Sequence, residues 1–235
     1  MTPSTTATTT LSPSAQSPFL ADVLEYTLGD FRRLPSVDTA TLLGVGAAAA
    51  WAGYRVDRPV STWMSGASAL DSPLEAGNVI GGAQAQLGSA FATYTLGRLT
   101  GRPQMAALGA DLLRAQLLAQ VVTGAVKVTV QRTRPDGTNL SFPSGHTSVS
   151  FASATVLERR FGWKVGIPAY GVAAYVAAAR IQEKRHFLSD VAFGAAIGLA
   201  AGRTVTVGRG GARFAIAPMA TPGGGGVSVT WIERR

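Results

Sequence analysis

Phe142-Pro143-Ser144-Gly145-His146-Thr147 leads directly into an apolar run that holds Val149, Phe151, Ala152 and Val156. This pattern predicts a helix from about Ser144 to Arg160, entered through a proline–glycine turn. The first N–H groups of a helix have no acceptor within it, so they bind anions readily, and a glycine lets an anion approach the backbone closely. Ser144 adds a hydroxyl donor. Taken alone, the turn reads as an ordinary N-cap beside an incidental histidine.

Two further clusters flank it. Upstream, Lys127 and Arg134-Pro135 are seven residues apart, nearly two helical turns. The expected helix runs from Pro103 to about Thr133, so both cations can point the same way from its end, and Pro135 cannot continue it. Arg132 is assigned to another side of that helix. Downstream come Arg180, His186 and Asp190. His186 and Asp190 are four apart and share a helix face, where the carboxylate can accept from Nδ1 and leave Nε2 free. A nucleophilic or general-base histidine needs that arrangement. Singly, the first of these is a pair of cations complementing a helix dipole and the second a surface i,i+4 pair. Jointly, with the chain's only two histidines inside one window, they suit a phosphate monoester and a histidine nucleophile.

Lys127-x6-Arg134-Pro135, Pro143-Ser144-Gly145-His146 and Arg180-x5-His186-x3-Asp190 resemble the three-part signature of the type 2 phosphatidic acid phosphatase superfamily. That superfamily includes lipid phosphatases, soluble bacterial acid phosphatases and vanadium haloperoxidases. With flanking helices the resemblance covers about residues 95 to 205; Ala179 departs from it, standing where the family often has serine. The resemblance implies that Lys127, Arg134, Ser144, Gly145 and Arg180 hold the phosphoryl oxygens. It implies that His186, oriented by Asp190, forms a phosphohistidine, and that His146 protonates the leaving alcohol and then activates water. Neither a metal nor another cofactor is expected. The alternatives are a vanadate-dependent haloperoxidase, for which the chain looks short, and a non-catalytic membrane or lipid-binding protein. The second leaves the full catalytic set unexplained.

Hydrophobic residues make up 46% of the 235 and charged residues 14%, which leans toward a membrane or a heavily buried bundle. Ala76 to Gly97 and Met105 to Val126 are long enough to cross a bilayer. The first, however, carries Asn78, Gln84 and Gln86, and the second Asp111 and Arg114. The net charge of +8 favours an anionic partner, a phosphorylated small molecule or lipid. No basic stripe with interleaved aromatics points to nucleic acid. Absence of cysteine excludes disulfides and thiolate chemistry. Together with the resemblance, these features place the protein at the cell membrane or in the periplasm, with its site on the extracytoplasmic side.

The expected fold is all-α, a bundle of about six core helices of the acid phosphatase/haloperoxidase type over residues 19–205. A Thr/Ser/Pro-rich disordered tail (1–18) precedes it and a β-hairpin appendage (206–235) follows. Within the bundle, Ser36 or Asp38 caps a helix over Ala40 to Tyr54, and one helix spans Pro73 to Leu96. Gly162 and Pro168 separate the histidine-turn helix from one over Ala169 to Ile181. A last helix runs from Phe187 to Arg203, with Gly194, Gly198 and Gly202 on one small-residue face.

Overall fold

A computed structural model describes residues 21–207, 213–221 and 224–232. The tail expected over Met1 to Pro18 lies outside the described residues. The helices are α1 (Ala21–Arg33), α2 (Val37–Tyr54), α3 (Asp57–Gly66), α4 (Asp71–Gly81), α5 (Ala83–Leu99), α6 (Pro103–Val130), α7 (Gly145–Phe161), α8 (Trp163–Gln182) and α9 (Leu188–Val205). A backbone pairing, β1 (Arg213–Thr221) with β2 (Gly224–Ile232), is antiparallel.

The six longer helices pack as a bundle. α9 lies between α2 and α7, α6 crosses behind α7 and α9, and α5 and α8 flank them. Ser36 caps α2 through its hydroxyl, which accepts the Thr39 N–H at 3.1 Å, so the helix starts three residues before the expected Ala40. The core beneath the bundle is small-residue and branched aliphatic, built from Ala115, Leu118, Ala152, Val156 and Ile197.

The glycine face of α9 lies close against α7. A Cβ on Gly194 would lie 2.7 Å from the Ser144 carbonyl oxygen, and one on Gly198 would lie 2.4 Å from that of Ser148. Gly198→Ala should therefore lower stability by about 1–3 kcal/mol, the range for overpacking a filled core. Gly124→Ala, where a Cβ meets nothing within 4 Å, is the control. Thermal unfolding of the two variants in detergent checks this: equal midpoints would show that the helices can part at no cost.

Three further boundaries differ from expectation. The helix expected over Pro73 to Leu96 is two, because Gly82 is extended (φ −63°, ψ 142°) and turns the chain between α4 and α5. Pro168 does not break α8, which starts at Trp163 directly after Gly162 (φ +80°). Pro168 and Lys164 are both exposed, so the one helical bond lost to the proline leaves no buried carbonyl. α6 stops at Val130, three residues before the expected Thr133, since Gln131 adopts the left-handed conformation (φ 48°) and returns its N–H to the Lys127 carbonyl.

Asp111 and Arg114 point inward. Arg114 binds both oxygens of Asp30 on α1 and reaches Asp111 at 3.2 Å, while Arg160 binds Asp111 from α7. The network lies away from the histidines and closes α1 onto α6.

Candidate active site

The N-terminal ends of α7 and α9, the C-terminal ends of α6 and α8, and the segment 131–144 meet at one end of the bundle. The Ser144 N–H donates to the Asp190 carbonyl oxygen at 3.0 Å, which joins the turn before α7 to the first turn of α9. The Asp136 N–H donates to the Lys184 carbonyl oxygen at 3.1 Å, and Arg185 pairs with the Asp136 carboxylate at 2.9 Å. Both loops are thus fixed to each other as well as to the helices.

Ser144 is fully buried and caps α7; its oxygen accepts from the Thr147 hydroxyl at 2.9 Å and the Thr147 N–H at 3.4 Å. Gly145 and His146 follow as the first helical residues, whose N–H groups have no acceptor within the helix. Packing does not require a glycine at 145, because a Cβ there would sit in ordinary contact, 3.6 Å from Gln120 Oε1. Lys127 ends α6 with its ammonium held by the Leu140 and Ser141 carbonyl oxygens at 2.5 and 3.4 Å. Arg134 stands on the loop and not on the helix, so its approach to Lys127 comes from the left-handed turn at Gln131 and not from the helical spacing first assigned to the pair.

Arg180 is 7% exposed; one of its terminal nitrogens reaches the Asn78 side chain on α4 and Glu183 at 2.8 Å. Its carbonyl oxygen accepts the His186 N–H at 3.1 Å, so the short reversal after α8 sets guanidinium and imidazole side by side. Of the three buried guanidinium nitrogens without a hydrogen-bond partner among the described residues, Arg134 Nε, Arg180 Nε and Arg159 Nε, the first two belong to this site. Orphaned charged donors are costly when buried, and an anion held between them would satisfy both.

Burial is the first cause that pushes the His146 imidazole down to about 4, followed by the charges of Arg180, His186 and Arg134. His186 is also pushed below its ordinary value, first by burial and then by Lys127 and Arg180, against the opposing pull of Asp190. Burial first, and the surrounding cations after it, thus favour the neutral form of each imidazole.

The Asp190 carboxylate is fully buried, and its nearest oxygen is 3.7 Å from His186 Nδ1, beyond hydrogen-bond range. That oxygen accepts from the Ser141 hydroxyl and from the Phe187 N–H at 2.8 Å, and the other oxygen accepts from Arg132 at 2.7 Å. Three residues that the sequence does not assign to the site therefore bear on it: Arg132 and Ser141 through Asp190, and Asn78 through Arg180. Helical periodicity had misassigned Arg132, which lies beyond the end of α6. Ser141 and Asn78 carried no signal in the sequence.

Residues 108–212 match the family model of the PAP2 superfamily. That segment is less than half of the chain, and over it the chain is similar to the PAP2 superfamily. A lipid A 1-phosphatase of Porphyromonas gingivalis is 39% identical over 99 residues, 40% of this chain and 22% of that protein. The chain thus matches about a fifth of that relative's length. Among solved structures, the transmembrane PAP2 type phosphatidylglycerolphosphate phosphatase of Bacillus subtilis superposes with a TM-score of 0.62. The match covers 73% of this chain and 96% of that one at 21% identity. Aquifex aeolicus LpxE gives a TM-score of 0.56 over 65% and 95%, again at 21% identity. These two establish a shared helical fold. The PAP2 segment begins within α6 and takes in α7, α8 and α9, so it contains every site residue expected from the three motifs.

Proposed function

We propose that this protein is a PAP2-type phosphoric ester hydrolase that acts on a lipid phosphate through a histidine nucleophile. The observation that carries the reading is the pair of buried, unpartnered guanidinium nitrogens of Arg134 and Arg180 beside two imidazoles at helix starts. With Lys127 and the N–H groups of Gly145 and His146, those donors match the oxygens of one phosphoryl group and the charge that grows on it in the transition state. His186 attacks phosphorus through Nε2, forming the N–P bond as the ester P–O bond breaks. His146 gives the departing alkoxide a proton, then takes one from the water that hydrolyses the phosphohistidine. Lys127, Arg134 and Arg180 neutralise the phosphoryl charge, so no step calls for a metal ion.

His146 opens onto a cavity of about 570 Å³ between α4 and α5, lined by Asn78, Val79, Ala83, Gln84 and Leu87. Apart from His146, none of its lining residues is ionisable. An uncharged alcohol suits it better than a second phosphate, which favours a lipid monophosphate over a diphosphate.

The bundle sits in or against a membrane. α6 and α9 are long and apolar enough to cross one. Trp51 and Tyr54 are exposed at the site end and Phe161 and Trp163 at the other. α9 alone spans about 27 Å between those ends, close to the hydrocarbon thickness of a bilayer. Asp111 and Arg114, the charges that weigh against α6 as a span, are buried against each other. The site end faces the extracytoplasmic side. Washed membranes from cells expressing the chain should release phosphate from a lipid monophosphate, keep that activity in a chelator and lose it to vanadate. Activity abolished by the chelator and restored by Mg²⁺, or found wholly in the soluble fraction, would overturn the reading.

A further inference from the structure

Asp57 and Arg132 make a charged bridge behind the histidine that the hydrolytic mechanism does not use. Asp57, the first residue of α3, is 2% exposed. One of its oxygens accepts the Ser189 N–H at 2.9 Å; the other accepts the Ser189 hydroxyl at 2.5 Å and Arg132 at 2.8 Å. Arg132 then donates to Ser189 Oγ at 2.6 Å and to Asp190 at 2.7 Å. Its guanidinium lies over the Phe187 ring at 4.3 Å and the Tyr54 ring at 5.2 Å, so its plane as well as its charge is set.

We infer that Asp57 and Arg132 are positioning residues for the phosphoryl-transfer site, holding the Asp190 carboxylate in one rotamer behind His186, so that α3 serves catalysis from outside the PAP2 segment. The inference rests on the proposed role of His186. Its physical basis is the division of the Asp190 carboxylate. Arg132 takes one oxygen, and the other is left for Ser141, the Phe187 N–H and the side facing His186. A buried carboxylate without that cation would be free to rotate, and the imidazole would lose the fixed group that sets its tautomer. Asp57 in turn keeps Arg132 from swinging toward the phosphate, where Lys127, Arg134 and Arg180 already gather. It also accepts the Ser189 N–H, which has no acceptor within α9.

The rival is a structural clip that merely fastens α3 to α9, and charge separates the two. His186 is faced by Asp190 from α9, Lys127 from α6, Arg180 from α8 and His146 from α7, with Arg134 beside Asp190. Arg132 and Asp57 stand behind Asp190. Asp57→Asn removes a negative charge and leaves Arg132 less neutralised, so the His186 pKa should fall. Arg132→Gln removes the positive charge, so it should rise. Each shift should be on the order of one pH unit, and the double variant should return near the parent.

The chain's two histidines make a direct measurement simple. Imidazole resonances of labelled full-length protein, assigned with His146→Gln, give the His186 titration without any assay. On an aryl phosphate the single variants should also lose on the order of 10–100-fold in kcat with KM little changed, the loss expected from a displaced nucleophile. Arg132→Lys, which keeps the charge but not the stacked fork, should lose kcat while leaving the titration in place. Unshifted titrations, or shifts of the same sign in both single variants, overturn the inference, and Arg132→Gln alone supplies the sign should Asp57→Asn fail to fold. A wild-type protein with no turnover of any phosphate ester would instead refute the hydrolase reading, and the titrations would still decide the charge bridge.

Discussion

His186→Ala should remove the covalent phosphoenzyme with every substrate and reduce turnover by on the order of 10⁴–10⁶-fold, the scale seen when an enzyme loses its nucleophile. The fold should survive the change. Asp190 keeps its three donors from Arg132, Ser141 and the Phe187 N–H, so no buried carboxylate is orphaned. The His186 N–H that binds the Arg180 carbonyl oxygen belongs to the backbone and remains in alanine. The loss should therefore appear in kcat, with vanadate still bound through Lys127, Arg134 and Arg180. Rapid-quench labelling with a ³²P-phosphate ester, followed by an acid-lability test of the labelled protein, checks this. Acid-labile label that persists in His186→Ala and vanishes in His146→Ala would reverse the two roles.

How much of this was legible in the sequence depended on whether a residue's placement was local. His186 and Asp190 are four apart in sequence. His186 stands two residues before α9 and shares no helix face with Asp190, yet the short approach to the helix still brings the two within 3.7 Å. The glycines of α9 could be read the same way, as a four-residue repeat that only close packing explains. The Arg132 direction could not be read so, because it hangs on a single left-handed residue, Gln131, that releases the chain from helical spacing. Asp57 lay in Arg55-Val56-Asp57-Arg58-Pro59, which reads as a charged helix end; only the packing of α3 against α9 shows that its carboxylate is buried. Asn78 sat inside an apolar run, and its link to Arg180 depends on the break at Gly82 and the seating of α4 on α8. Long-range partners of a local motif are set by tertiary contacts, and no periodicity encodes them.

The same distinction separates the two histidines. Among the described residues no carboxylate is a cause of the His146 shift, which comes from burial and positive charge. An imidazole held at about 4 is a poor acid at neutral pH for an empty site, because it carries no proton to give. A bound phosphate dianion changes the sign of the local field. It offsets Arg180 and Arg134, the cations that help depress His146, and raises the imidazole back toward its ordinary value, so that the substrate recruits its own general acid. Binding a dianionic oxyanion such as tungstate near pH 6 should therefore take up a proton, measurable by calorimetry in buffers of different ionisation enthalpy. His146→Ala should abolish most of that uptake. The same variant should lose about 10²–10⁴-fold on an alkyl phosphate and far less on a nitrophenyl phosphate, whose leaving group departs without a proton. An equal loss on both esters, with proton uptake unchanged, would remove His146 from the leaving-group side and return it to an ordinary place in the first turn of α7.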